Sequence, residues 1–101
     1  MGYQRELDMM SYRNSLQIMT DVIFYSSEYG RNGANKSNLM QKANLSHSRL
    51  NGFLKNLIGS GLINSIIYEN HQTFVVTPKG INFLHEYKKF VELSGVFGLE
   101  L

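Results

Sequence analysis

Ser46, His47, Ser48, Arg49, Asn51, Gly52, Lys55 and Asn56 crowd one short stretch of a 101-residue chain, and no acid interrupts them. Their side chains offer hydroxyls, amides, an imidazole, a guanidinium and an ammonium, groups that bind phosphate oxygens and the edges of bases. On a helical wheel with Leu50 turned inward, Ser48, Gly52, Lys55 and Gly59 point outward. Arg49 and Asn56 then lie on one flank and Asn51 on the other. Arg49 and Asn51 are the side-chain types that read base edges with two bonds at once, whereas Ser46, Ser48, Lys55 and Asn56 suit phosphates. Gly52 favours close approach of a partner, because glycine inside a helix costs about 1 kcal/mol relative to alanine. The plainer reading of any polar stripe is a solvated helix face. The neighbouring elements decide between the two.

Charge points the same way. The net charge is only +2 and the pI near 9.0. Its distribution is uneven: from Arg31 to Lys55 there are five cations (Arg31, Lys36, Lys42, Arg49, Lys55) and no acid. A cationic middle between mixed ends is the pattern of a phosphate-facing surface. Lys36 falls in the first turn of a short helix, where free backbone amides also favour an anion.

Catalysis finds no such support. His47, His71 and His85 stand far apart without neighbours at ligand spacing, and no nucleophile motif or glycine-rich phosphate loop is present. No metal or cofactor is expected, and nothing in the sequence demands a small-molecule effector. The chain has no cysteine, which excludes a disulfide framework and fits a reducing cytoplasm. No apolar run reaches the ~18 residues that suggest a membrane span, and the expected location is cytoplasmic.

The elements that must position these groups follow from periodicity and punctuation. A first helix is predicted from Asp8 to Glu28, with Met9, Tyr12, Leu16, Met19 and Ile23 on one stripe and Ile18, Val22 and Tyr25 on a second. Asn35 is an N-cap for a short helix, Lys36 to Ala43, that buries Leu39, Met40 and Ala43. Asn44-Leu45 makes the turn, Ser46 caps a helix to Ser60, and Gly61 sits where a helix-closing glycine belongs. Leu62 to Tyr68 and Thr73 to Thr77 read as a β-hairpin with Glu69-Asn70-His71-Gln72 between them. Phe74 and Val76 point inward together. Thr77-Pro78 opens a last helix that runs to about Ser94. The fold expected is mainly α with a small β-hairpin: a winged helix-turn-helix with a three-helix core, a two-stranded wing and a C-terminal dimerisation helix. It forms one domain over 1–101, with its core about 12–77 and the last helix about 78–94.

The motifs Ala43-Asn44-Leu45-Ser46, Gly61-Leu62-Ile63 and Val76-Thr77-Pro78-Lys79-Gly80 carry a resemblance to the small archaeal winged-helix regulators. It covers about Tyr12 to Val91. The resemblance implies a DNA-binding homodimer paired through the last helix. Some of these relatives lengthen that helix into an antiparallel coiled coil and act as chromatin proteins. Here Gly95 and Gly98 end it after about four turns, so a compact dimer is expected. The wing departs from a basic pattern, since its tip carries Glu69 and no Arg or Lys; His71 is its one candidate for DNA.

Dimerisation also has a physical argument. Phe83, Tyr87 and Phe90 on the last helix, with Ile18, Val22 and Tyr25 on the first, would leave a large apolar patch if uncovered. Three functions are consistent with these features: a sequence-specific transcription regulator, an architectural binder of duplex DNA, and a winged helix used for protein contacts alone. The acid-free segment argues against the third. The Arg49/Asn51 pair favours the first.

Overall fold

Each helix begins where a polar side chain accepts a bond from a free amide of its first turn. The computed structural model describes residues 13–98. It comprises α1 (Ser15–Ser27), a 3-10 turn (Gly30–Asn32), α2 (Lys36–Ala43), α3 (His47–Gly59), β1 (Ile63–Tyr68), β2 (His71–Val76) and α4 (Pro78–Val96). Asn14, Asn35, Ser46 and Thr77 are the N-caps, accepting from the amides of Gln17, Asn38, Arg49 and Gly80. At Asn14 and Asn35 the third helical residue bonds back to the cap, closing a capping box. The predicted first helix is therefore shorter than expected: the extended backbone of Asn14 (φ −72°, ψ 166°) starts α1 at Ser15. Residues 8–12, with Met9 and Tyr12, lie outside the described residues.

The end of α3 closes as its glycine requires. Gly61 takes φ +76°, its amide donates to the Ile58 carbonyl (3.0 Å), and the Leu62 amide donates to Leu57 (2.9 Å). Those two bonds make a Schellman motif and turn the chain directly into β1.

The wing is tighter than the sequence predicts. β1 and β2 pair antiparallel from Ile63↔Val76 to Tyr68↔His71, so only Glu69 and Asn70 form the turn. Both have positive φ, 50° and 68°, the signature of a type I′ hairpin turn whose twist matches the strands. His71 and Gln72 are thus strand residues, not a loop tip. A third segment joins the sheet by one bridge. Ala34 and Phe74 exchange bonds of 3.0 and 2.8 Å, and the Thr73 hydroxyl donates to the Asn32 carbonyl (2.6 Å).

The core lies where α1, α2, α3 and the wing meet. Leu39, Ala43, Leu50, Leu54, Leu57, Ile63 and Phe74 are buried together, and Met40, Phe53, Val76, Phe83 and Leu84 pack half-buried around them. Full burial of each large apolar side chain stabilises by about 1.5–3 kcal/mol. Ile18 and Val22, assigned from the sequence to a dimer stripe, belong to this core, with exposures of 2% and 0%. Leu16, on the other predicted stripe, is exposed. Helix α1 turns Ile18, Val22, Ile23 and Ser26 inward, because it packs on α2, β2 and α4 together. A partner cannot reach residues already covered within one subunit. Tyr25 and Phe83 are also half-buried against this core.

Helix α4 is different. Across its length only Gly80 and Ser94 are fully buried. Phe90, Val91, Leu93 and Val96 are exposed along it, as are Phe97 beyond its end and Phe24 on α1.

Candidate nucleic-acid interface

Helix α3 is presented by the turn that precedes it. Asn44 adopts the left-handed conformation (φ 56°), tolerated by asparagine. The buried Leu45 then ties its amide to the Met40 carbonyl at 3.0 Å. Ser46 caps α3 at the Arg49 amide (3.3 Å). Leu50, Leu54 and Leu57 bury the inner side of the helix.

The outer side is bare. Ser46, His47, Ser48, Arg49, Gly52, Lys55 and Asn56 are exposed, while Asn51 is half-buried. The Asn51 amide lies 3.3 Å from Nδ1 of His47 one turn earlier. The Arg49 guanidinium sits 5.8 Å from the Phe53 ring centroid, a cation–π contact that aligns the side chain along the helix. A Cβ built at Gly52 would meet nothing within 4 Å. Packing within the chain therefore does not explain a glycine at this position.

Lys36, Asn51 and Lys55 come together around a hollow of about 230 Å³ between α2, α3 and the wing, floored by Leu54, Ile58 and Phe74. Gln72 completes its rim and donates to the Ser65 hydroxyl at 2.9 Å. Sequence reading missed Gln72 because it placed that residue in a loop. The cross-strand pairing that turns it toward α3 has no local trace. Two lysines and two carboxamide residues thus border one depression, residue types that bind oxyanions. His71 stands apart from this group, exposed and paired with Tyr68 beside the turn. Among the described residues no group of three or more His, Cys, Asp or Glu could hold a metal, and no helix is long and apolar enough to cross a membrane.

The winged helix-turn-helix family model matches residues 12–95. The chain belongs to that family. Among solved structures it resembles Sso10a-2, a DNA-binding protein from Sulfolobus solfataricus, at TM-score 0.70 and 15% identity over 84% of this chain and 85% of that one. It also resembles MepR, a transcription regulator of the Staphylococcus aureus multidrug efflux pump MepA, at TM-score 0.69 and 15% identity over 95% and 72%. The S. aureus MepR–DNA complex matches at TM-score 0.66 and 14% identity over 92% and 67%. At such identities the likeness is one of fold. No curated protein matches the sequence.

Proposed function

We propose that this winged helix-turn-helix chain is a dimeric DNA-binding transcription regulator that lays α3 in the major groove. The observation that carries the reading is the outer face of α3: exposed, free of acids, and centred on a glycine that nothing in the chain requires. Arg49 and Asn51, the latter joined to His47, read base edges. Ser46, Ser48, Lys55 and Asn56 hold phosphates, and Lys36 reaches the same strand from α2. Gln72 adds a donor from the wing. His71 contacts the minor-groove side from the wing. The chain binds rather than catalyses, acting on duplex DNA in the cytoplasm. That Sso10a-2 is a DNA-binding protein and MepR a transcription regulator supports this reading.

The partner subunit covers α4. Phe90 and Tyr87, with Leu93 and Val96, form the pairing face, and Phe24 of α1 replaces the core residues Ile18 and Val22. A two-fold dimer of this kind sets its α3 helices roughly 34 Å apart, one turn of duplex. Electrophoretic titration of a random duplex pool and of genomic fragments, at low and moderate salt, tests the reading. A regulator retains a small set of related sequences as salt rises. Equal binding to all duplexes would make the chain an architectural binder. No shift at either salt would leave protein contacts as its role.

A further inference from the structure

We infer that Arg13 and Lys79 are positioning residues that fasten the turn before α3 and the close of α3 to the supporting helices and thereby set the spacing at which a dimer reads DNA. The inference rests on α3 being the DNA-facing helix. At the leading end, the Arg13 guanidinium donates through Nη1 to the Asp21 carboxylate (2.6 Å). Through Nη2 it donates to the Ala43 carbonyl (2.5 Å) and reaches that of Asn44 (3.5 Å). Ala43 and Asn44 end α2, where carbonyls lack partners in the helix and carry partial negative charge. A planar fork with donors in two directions bridges carboxylate and carbonyl at once, which the single ammonium of lysine does not do in the same geometry. The turn before α3 is thereby tied to α1.

The trailing end is tied to α4. Lys79 Nζ donates to the Ser60 carbonyl at 2.7 Å, and the Thr77 hydroxyl donates to Gly61 at 2.7 Å. Both donors stand at the start of α4, and both acceptors stand at the close of α3. Arg13, Asp21 and Lys79 all lie outside the buried apolar core. Their bonds fix an angle, while the core holds the fold. In a dimer paired through α4, that angle decides how far apart, and in what phase, the two α3 helices meet the duplex.

The test uses sequences selected by the titration above, as duplexes carrying one half-site or two half-sites separated by spacers that differ by single base pairs. Arg13→Lys, Asp21→Asn and Lys79→Gln are compared with the wild type, each first shown to be folded by its thermal melt. We expect each variant to bind a single half-site within about twofold of the wild type, while the preference for the best spacer falls by about tenfold, the scale of one charge-assisted hydrogen bond. Asp21→Asn is the sharpest arm, because it removes a negative charge and would tighten every duplex if bulk electrostatics were the cause. Should it not fold, Arg13→Lys and Lys79→Gln read the two ends separately. An unchanged spacer profile overturns the inference, as does an equal loss on single and paired half-sites. A wild type without spacer preference removes the dimeric reading itself, and the inference falls with it.

Discussion

Because, among the described residues, nothing beyond the backbone of its own helical turns and its two chain neighbours comes within 4 Å of a Cβ built at Gly52, alanine meets no steric resistance there and restricts the unfolded chain. Gly52→Ala should therefore stabilise the protein by about 1 kcal/mol. Its methyl group would nonetheless stand between the helix and the floor of the groove, so DNA affinity should fall. Denaturant unfolding and titration on one preparation check both signs, and affinity that rises with stability would remove Gly52 from the interface. Lys55→Ala and Arg49→Ala separate the two kinds of contact. The first should weaken all duplexes alike and lower the salt slope by about 0.9 for each phosphate left unneutralised. The second should flatten the preference between sites, since Arg49 lies along Phe53 and is exposed. A uniform loss for Arg49→Ala would demote it to a phosphate contact.

Strain and close packing set the predictions for single elements. Glu69 holds a left-handed backbone (φ 50°) in the hairpin turn, a conformation that costs a side chain such as glutamate roughly 1–2 kcal/mol and asparagine less. Glu69→Asn should raise the melting temperature, and no change would mean that the turn relaxes around either residue. Gly80 is the reverse case. A Cβ there would run into the Leu62 carbonyl and lie 2.7 Å from Cγ2 of Val76, so Gly80→Ala should lower stability by about 1–3 kcal/mol in a denaturant titration. What the sequence made legible at this scale was local: the caps at Asn35, Ser46 and Thr77, the closing glycine at 61 and the inward pair Phe74 and Val76 each depend on neighbours a few residues away. A helical wheel groups Ile18 with Val22 but cannot say which face turns inward, because that is decided by packing on three other elements. The tight turn was hidden because glutamate is a poor sign of positive φ. The Arg13–Ala43 bond spans 30 positions and leaves no periodicity to detect. Gln72 was lost from the site for the same reason.

For the whole molecule, the exposed face of α4 carries the proposed assembly. Phe90 and Leu93 stand 48% and 55% exposed on a helix with few buried side chains. Placing charges at both, Phe90→Glu with Leu93→Glu, would bury two unpaired carboxylates in the proposed pairing face. The double variant should sediment as a monomer, keep its fold and lose binding to paired half-sites far more than to single ones. An unchanged sedimentation coefficient would place the subunit contact elsewhere.

The sparse cover on α4 reaches further, to how a cell would control such a switch. In the proposed dimer the exposed side of α4 finds its apolar shelter in a second copy, so pairing and occupancy of a two-part operator draw on one concentration. At low abundance the fraction of operator filled then grows as the square of the number of copies rather than in proportion to it. Small changes in synthesis or dilution become large changes in output, with no ligand needed to sharpen the response.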